Sequence, residues 1–185
     1  MPAAIADIGC QQLSHSTNES VRVFADYFSG ATGGHVLESF DHYSYMGDLY
    51  RAAGFSYVSI DIVKAPYVFL FDLNRDQIPA ALKNEYDIVI NSGTTEHVLN
   101  QLNALKAVHD LAKPGGIIYS MFLINGFGEH GLLRYSSRFV KMLAAANQYE
   151  ILDDEIHTSP DKFDQAQWVI MKRTSGAEFQ PVLDL

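Results

Sequence analysis

The sequence predicts a doubly wound α/β sheet, and three observations carry that reading. The stretch YDIVINSGTTEHV, Tyr86 to Val98, places the apolar run Ile88-Val89-Ile90 directly before a polar turn. Such a run suits a strand buried on both faces of a parallel sheet. Around it, short apolar runs alternate with helix-period segments along the whole chain, the pattern of stacked βαβ units. Finally, one upstream run ends on Asp61 and another on Asp72. Polar groups at the carboxyl ends of strands are where open α/β sheets bind ligands.

Taken in order, Ala4 to Gly9 reads as a first strand entering a glycine turn. Asn18 or Ser20 caps a helix through about Phe28, with Val21, Phe24 and Phe28 on one face. Ser29 to Ser44 is a long insertion carrying SGATGGH and then Phe40, His42 and Tyr43, longer than ordinary connections and suited to a lid. A helix from Tyr45 to Ala53 stops at Gly54. Tyr57–Ile62 and Tyr67–Asp72 are the second and third strands, and Tyr86–Asn91 the fourth. Thr94 or Thr95 caps a helix that Glu96 and His97 enter. Val98, Leu102, Leu105, Val108 and Leu111 recur at helical spacing. Lys113-Pro114-Gly115-Gly116 ends that helix, and Ile117–Ile124 is the next buried strand. A glycine-rich loop, Asn125 to Ser136, leads to a helix over Ser137–Ala146. Tyr149–Ile156 and Gln167–Lys172 complete the sheet, and the tail after Thr174 reads as loosely held. No repeat or linker divides residues 1–185, which form a single domain of ordinary size.

Composition narrows the function. Apolar residues make up 48% and charged residues 19%, as in folded globular chains. Thirteen basic against 22 acidic residues leave a formal charge of −9 without a basic cluster, which argues against nucleic acid. No apolar run approaches the ~18 residues of a membrane span. The amino terminus lacks the pattern of a signal peptide, and one cysteine, Cys10, fits a reducing compartment, so a cytoplasmic location is expected.

Asp61 stands where nucleotide-binding sheets place a carboxylate for ribose hydroxyls; read structurally, it is a strand-end aspartate facing water. In the turn Asp7-Ile8-Gly9-Cys10-Gln11, Gly9 permits close approach, but Gln11 occupies the second glycine position of a dinucleotide fingerprint. NAD and FAD are therefore disfavoured. Glu96-His97, His130 and Asp61 do not show metal spacing, and H-x-x-x-H, paired cysteines and a carboxylate loop are all lacking, so no metal is expected. His15, His35, His42, His109 and His157 read as surface residues and Trp168 as core.

In this order the motifs resemble the class I S-adenosylmethionine (SAM)-dependent methyltransferases, small-molecule type, over nearly the whole chain. ADIGCQQ is similar to that family's first motif, YVSIDI to the second and VFLFDLN to the adenine-side segment. YDIVINSGTTEHV resembles the fourth motif and LAKPGGIIYSMF the hairpin into strand 5. The resemblance implies a Rossmann-like, mostly parallel seven-stranded sheet with helices on both faces. It also implies SAM as cofactor, S-adenosylhomocysteine as product and a small-molecule substrate. Asp7 and Gly9 would then frame the methionine end, with Asp7 on its ammonium and Gln11 in place of a glycine. Asp61 with Ile62 would meet the ribose, Asp72 and Leu73 the adenine, and the backbone at Asn91 and Ser92 the methionine end. His97 or His130 would serve as base toward an oxygen or nitrogen acceptor, with Arg134 and Tyr135 near the substrate. Few residues precede the first strand, so the 29–44 insertion, a second subunit or a partner chain would cover the site. The alternative is a binding or interaction module that kept the fold and lost catalysis.

Overall fold

The computed structural model of the chain describes residues 2–12 and 44–181. The helix expected through Phe28, and the 29–44 insertion up to Tyr43, lie outside them. Seven strands form one sheet: β1 (Ala4–Ile8), β2 (Ser56–Asp61), β3 (Val68–Leu70), β4 (Tyr86–Ser92), β5 (Ala112–Asn125), β6 (Tyr149–Thr158) and β7 (Gln165–Arg173). Their order is β3-β2-β1-β4-β5-β7-β6. β1, β2, β3, β4 and β5 pair in parallel, while β7 runs antiparallel between β5 and β6. The sheet is thus the mostly parallel one expected, and the strand order reverses beside β1, between β1 and β4. A reversal of that kind opens a crevice at the carboxyl ends of the two strands.

Three α-helices are seen among the described residues: α1 (Met46–Ala52), α2 (Gln101–Leu111) and α3 (Ser137–Ala146). Leu102 of the expected face is exposed, and α2 buries Ala104, Leu105, Val108 and Leu111. They join Ala6, Ile8, Ile60, Val89 and Ile118 in one core, the arrangement a sheet needs to bury its apolar face. α2 starts later than expected. Thr95–His97 forms a separate 3-10 turn, and the cap of α2 is Asn100, whose side chain accepts from the Asn103 backbone N–H. Thr94 does not cap; its hydroxyl donates to the Ile8 carbonyl at 2.7 Å.

Non-local contacts move two residues and the tail from their expected places. His109 is buried, with Nδ1 2.7 Å from the Tyr149 hydroxyl and Nε2 2.9 Å from the Ala177 carbonyl. Trp168 is 41% exposed on the outer face of β7. The tail is held rather than loose: Phe179 packs on the His109 ring, and Asn147 exchanges hydrogen bonds with Gln180. Among the described residues no helix is long and apolar enough to cross a membrane.

Candidate functional site

The site begins where β1 ends. Gly9 turns with φ +89° and donates to the Ile60 carbonyl. A Cβ there would lie 2.2 Å from Thr94 Oγ1, so only glycine fits between β1 and the β4 turn. Across β2, Asp61 holds the same turn: Oδ2 accepts from Cys10 N at 2.8 Å and Oδ1 from Val63 N at 2.9 Å. Each oxygen keeps acceptor capacity, since a carboxylate offers about four lone-pair sites.

Two clefts meet at Asp61. One, of about 220 Å³, is bounded by Gly9, Asp61, Ile62, Asp72, Leu73 and His97, over an apolar floor of Ile60, Phe71 and Val98. The other, of about 370 Å³, lies beside Cys10, Gln11, Tyr45 and Lys64. The far wall of the first is fixed by hydrogen bonds between the β3 turn and the start of α2. Asn74 Oδ1 accepts from Leu99 N and Asn100 N, and Asn103 Nδ2 donates to the Leu73 and Asp76 carbonyls. Asp72 spends its carboxylate locally on the Asn74 N–H.

Of the other expected residues, Gln11 lines the second cleft and the rest lie outside both. Asp7 is 1% exposed, its Oδ2 accepting from the Tyr57 hydroxyl at 3.2 Å. This differs from the expected ammonium partner, because β1 alternation turns Asp7 toward Tyr57 on β2 rather than toward either cleft. Burial pushes its carboxyl up to about 8. The Asn91 side chain is buried and donates to Thr95 Oγ1. Gln11 reaches from the β1 turn across to β4, where its Nε2 donates to the Ser92 carbonyl at 3.1 Å. Tyr135, expected near the substrate, is buried against Phe122 and donates to Gln101 Oε1. Arg134 braces the 125–136 loop by donating to the Gly126 and Leu133 carbonyls.

That loop returns to the end of β4. Leu132 N and Leu133 N both donate to the Glu96 carbonyl, and Gly131 packs against the Glu96 side chain. His130 therefore lies beside His97, ring centroids 4.7 Å apart, with Glu96 behind both. Spacing along the chain argues against grouping Glu96-His97 with His130; the return of the loop brings them together.

Two ionisable groups give opposite pH dependences. Burial, then Arg173, lowers His109 to about 4, so the neutral ring contributes stability above its ordinary 6.5 that is lost as pH falls toward 4. Asp7, raised to about 8, contributes stability that is full below its ordinary 3.8 and is lost as pH rises through 8. Of these two groups only Asp7 acts between pH 6.5 and 8, and its part of the stability should fall by about 1 kcal/mol per pH unit. Urea melts across that window check it. Asp7→Asn should flatten the slope, and an unchanged slope would show that Asp7 is already ionised.

A family model described as a methyltransferase domain matches residues 28–151. The chain belongs to this methyltransferase-domain family. The match takes in β2 to β5 and the His97–His130 corner. No curated protein matches the chain. Among solved structures, it resembles a Burkholderia thailandensis 1,6-didemethyltoxoflavin-N1-methyltransferase with bound 1,6-didemethyltoxoflavin and S-adenosylhomocysteine. That likeness has 12% identity and a TM-score of 0.59 over 94% of this chain and 72% of that one. The methyltransferase CalH, in complex with S-adenosylhomocysteine, gives 17% identity and 0.55 over 93% of this chain and 51% of its own. A 16S rRNA (adenine(1408)-N(1))-methyltransferase from Catenulisporales acidiphilia gives 11% and 0.52 over 95% and 87%. At these identities the likeness is one of fold. It makes the sheet a Rossmann-like methyltransferase fold, and the family's methyl donor is SAM.

Proposed function

We propose that this domain transfers a methyl group from SAM to an oxygen or nitrogen of a small metabolite. The observation that carries the reading is Asp61: a carboxylate at the β2 end, with acceptor capacity left on both oxygens, at the rim of the apolar-floored cleft that His97 also lines. These residues fit the adenosine half of the donor. Asp61 would take the ribose hydroxyls, and Phe71, Leu73 and Val98 would face the adenine, with Ile62, 72% exposed, at its edge. Bound there, SAM supplies a sulfonium-activated methyl group. His97 or His130 would accept the proton of the acceptor, and Glu96 would orient both rings. The acidic charge supports a small-molecule acceptor over nucleic acid, and lone Cys10 supports a cytoplasmic setting. The cover assigned to 29–44 falls, up to Tyr43, on residues outside those described, and a second subunit or partner chain is the other candidate.

Gln11 favours a second reading. Its amide spans the space between the β1 and β4 ends, where the resemblance expects the methionine end, and a module that binds without transferring would tolerate that. Calorimetry with SAM, S-adenosylhomocysteine and NAD tests the donor, and a turnover assay separates transfer from binding alone. Binding of both sulfur ligands but not NAD is expected, whereas NAD binding alone would overturn the proposal. His97→Ala or His130→Ala should slow methyl transfer while leaving SAM affinity nearly unchanged. Normal turnover in both would remove the histidine base.

A further inference from the structure

We propose that Glu96, His97 and His130 form a binding site for one divalent transition-metal ion of the Zn²⁺ type. Glu96 is 0% exposed, and neither of its carboxylate oxygens has a hydrogen-bond partner. A buried carboxylate left unsatisfied is costly, so natural folds pair such groups or give them to a metal. Oε1 lies 3.7 Å from His130 Nε2 and 4.0 Å from His97 Nε2. Both separations exceed hydrogen-bond reach. One ligand atom from each of the three residues lies within 4.8 Å of the others.

Ligand atoms bound tetrahedrally at about 2.0–2.2 Å stand roughly 3.4 Å apart. Closing onto an ion thus requires movements of about an ångström or less, and both imidazoles are about half exposed and free to turn. The main chain prepares the site. Glu96 and His97 share one 3-10 turn, and the His130 loop is fastened by the Leu132 and Leu133 N–H groups on the Glu96 carbonyl and by Arg134 on the Gly126 carbonyl. Two imidazoles and one carboxylate suit Zn²⁺, Co²⁺, Ni²⁺ or Fe²⁺ better than Mg²⁺ or Ca²⁺, which take oxygen ligands. Three protein ligands leave an open position, as in catalytic rather than structural sites.

The site itself stands on this geometry alone; its role rests on the methyl-transfer reading. His97 lines the cleft proposed for the adenosine half of the donor, and on that reading an acceptor oxygen or nitrogen would fill the ion's open position. The two imidazoles would then be ligands, and the ion rather than a free histidine would lower the acceptor's proton affinity.

The test uses the chelator-stripped full chain without donor or acceptor. Co²⁺ is titrated by visible absorption and displaced with Zn²⁺, and Zn²⁺ binding is measured by calorimetry. One equivalent per chain is expected. His130→Ala, an exposed change with little call on folding, should weaken Zn²⁺ by about a hundredfold, since even outer-shell changes cost 10–100-fold. Glu96→Gln should do the same, with circular dichroism confirming the fold, while the distant His157→Ala leaves binding unchanged. Sub-stoichiometric binding, or equal affinity in His130→Ala, overturns the site. S-adenosylhomocysteine calorimetry on the same samples keeps the readings apart: donor binding without Zn²⁺ binding sinks the metal site and leaves methyl transfer standing.

Discussion

Arg173→Met should lower stability by roughly 3 kcal/mol, the scale of several hydrogen bonds lost from a charged donor with buried acceptors left behind. The Arg173 guanidinium is buried at the end of β7. Nη1 donates to Asn84 Oδ1, to the His109 carbonyl at 3.0 Å and to the Ala112 carbonyl at 2.6 Å, and Nη2 to the Ala177 carbonyl at 3.0 Å. One side chain thereby joins the loop before β4, the end of α2, the start of β5 and the tail. Methionine fills much of the volume but donates nothing, leaving the buried His109 and Ala112 carbonyls without this donor. The melting temperature should drop by roughly 6–12 °C for a chain of this size. Calorimetric and urea melts give the value, and a loss under about 1 kcal/mol would mean that water replaces the guanidinium.

Asp61→Ala carries the second large effect, on ligand binding. It removes the acceptors that hold Cys10 N and Val63 N as well as the oxygens left for ribose hydroxyls. S-adenosylhomocysteine affinity should fall by about 1.5–3 kcal/mol, some 10- to 150-fold. Asp61→Asn, which keeps one acceptor oxygen, should fall between the two. Unchanged affinity in a folded Asp61→Ala chain would take Asp61 out of the site and with it the proposed orientation of the donor.

The positions of these residues divide what is local from what is not. The apolar runs Ala4–Ile8, Tyr57–Ile60 and Ile88–Ile90 and the periodic Val98–Leu111 segment marked strands and helix correctly, since burial on one or two faces leaves its period in the chain. Gly9 and Asp61 were legible for the same reason: a glycine turn and a strand-end carboxylate are local features. Helix starts were less so. Thr94 looks like a cap, but the Ile8 carbonyl of another strand takes its hydroxyl.

Whatever depended on partners distant in sequence was decided by the tertiary structure. Asp7 is an ordinary aspartate until β2 sets Tyr57 beside it and burial makes the charge expensive. His109 reads as polar and is buried because Tyr149 and the Ala177 carbonyl satisfy both ring nitrogens. Trp168 reads as core, yet strand alternation turns it outward. Glu96, His97 and His130 show no ligand spacing along the chain, since their meeting requires a glycine loop to return across the end of β4. The amino-acid sequence by itself determined the elements, the α/β class and the carboxylate at the β2 end, because burial periodicity and turn chemistry act over a few residues. Strand order, the ionisation of Asp7 and His109 and the histidine–glutamate corner came only from the tertiary structure, because solvation and charge depend on neighbours that chain spacing does not encode.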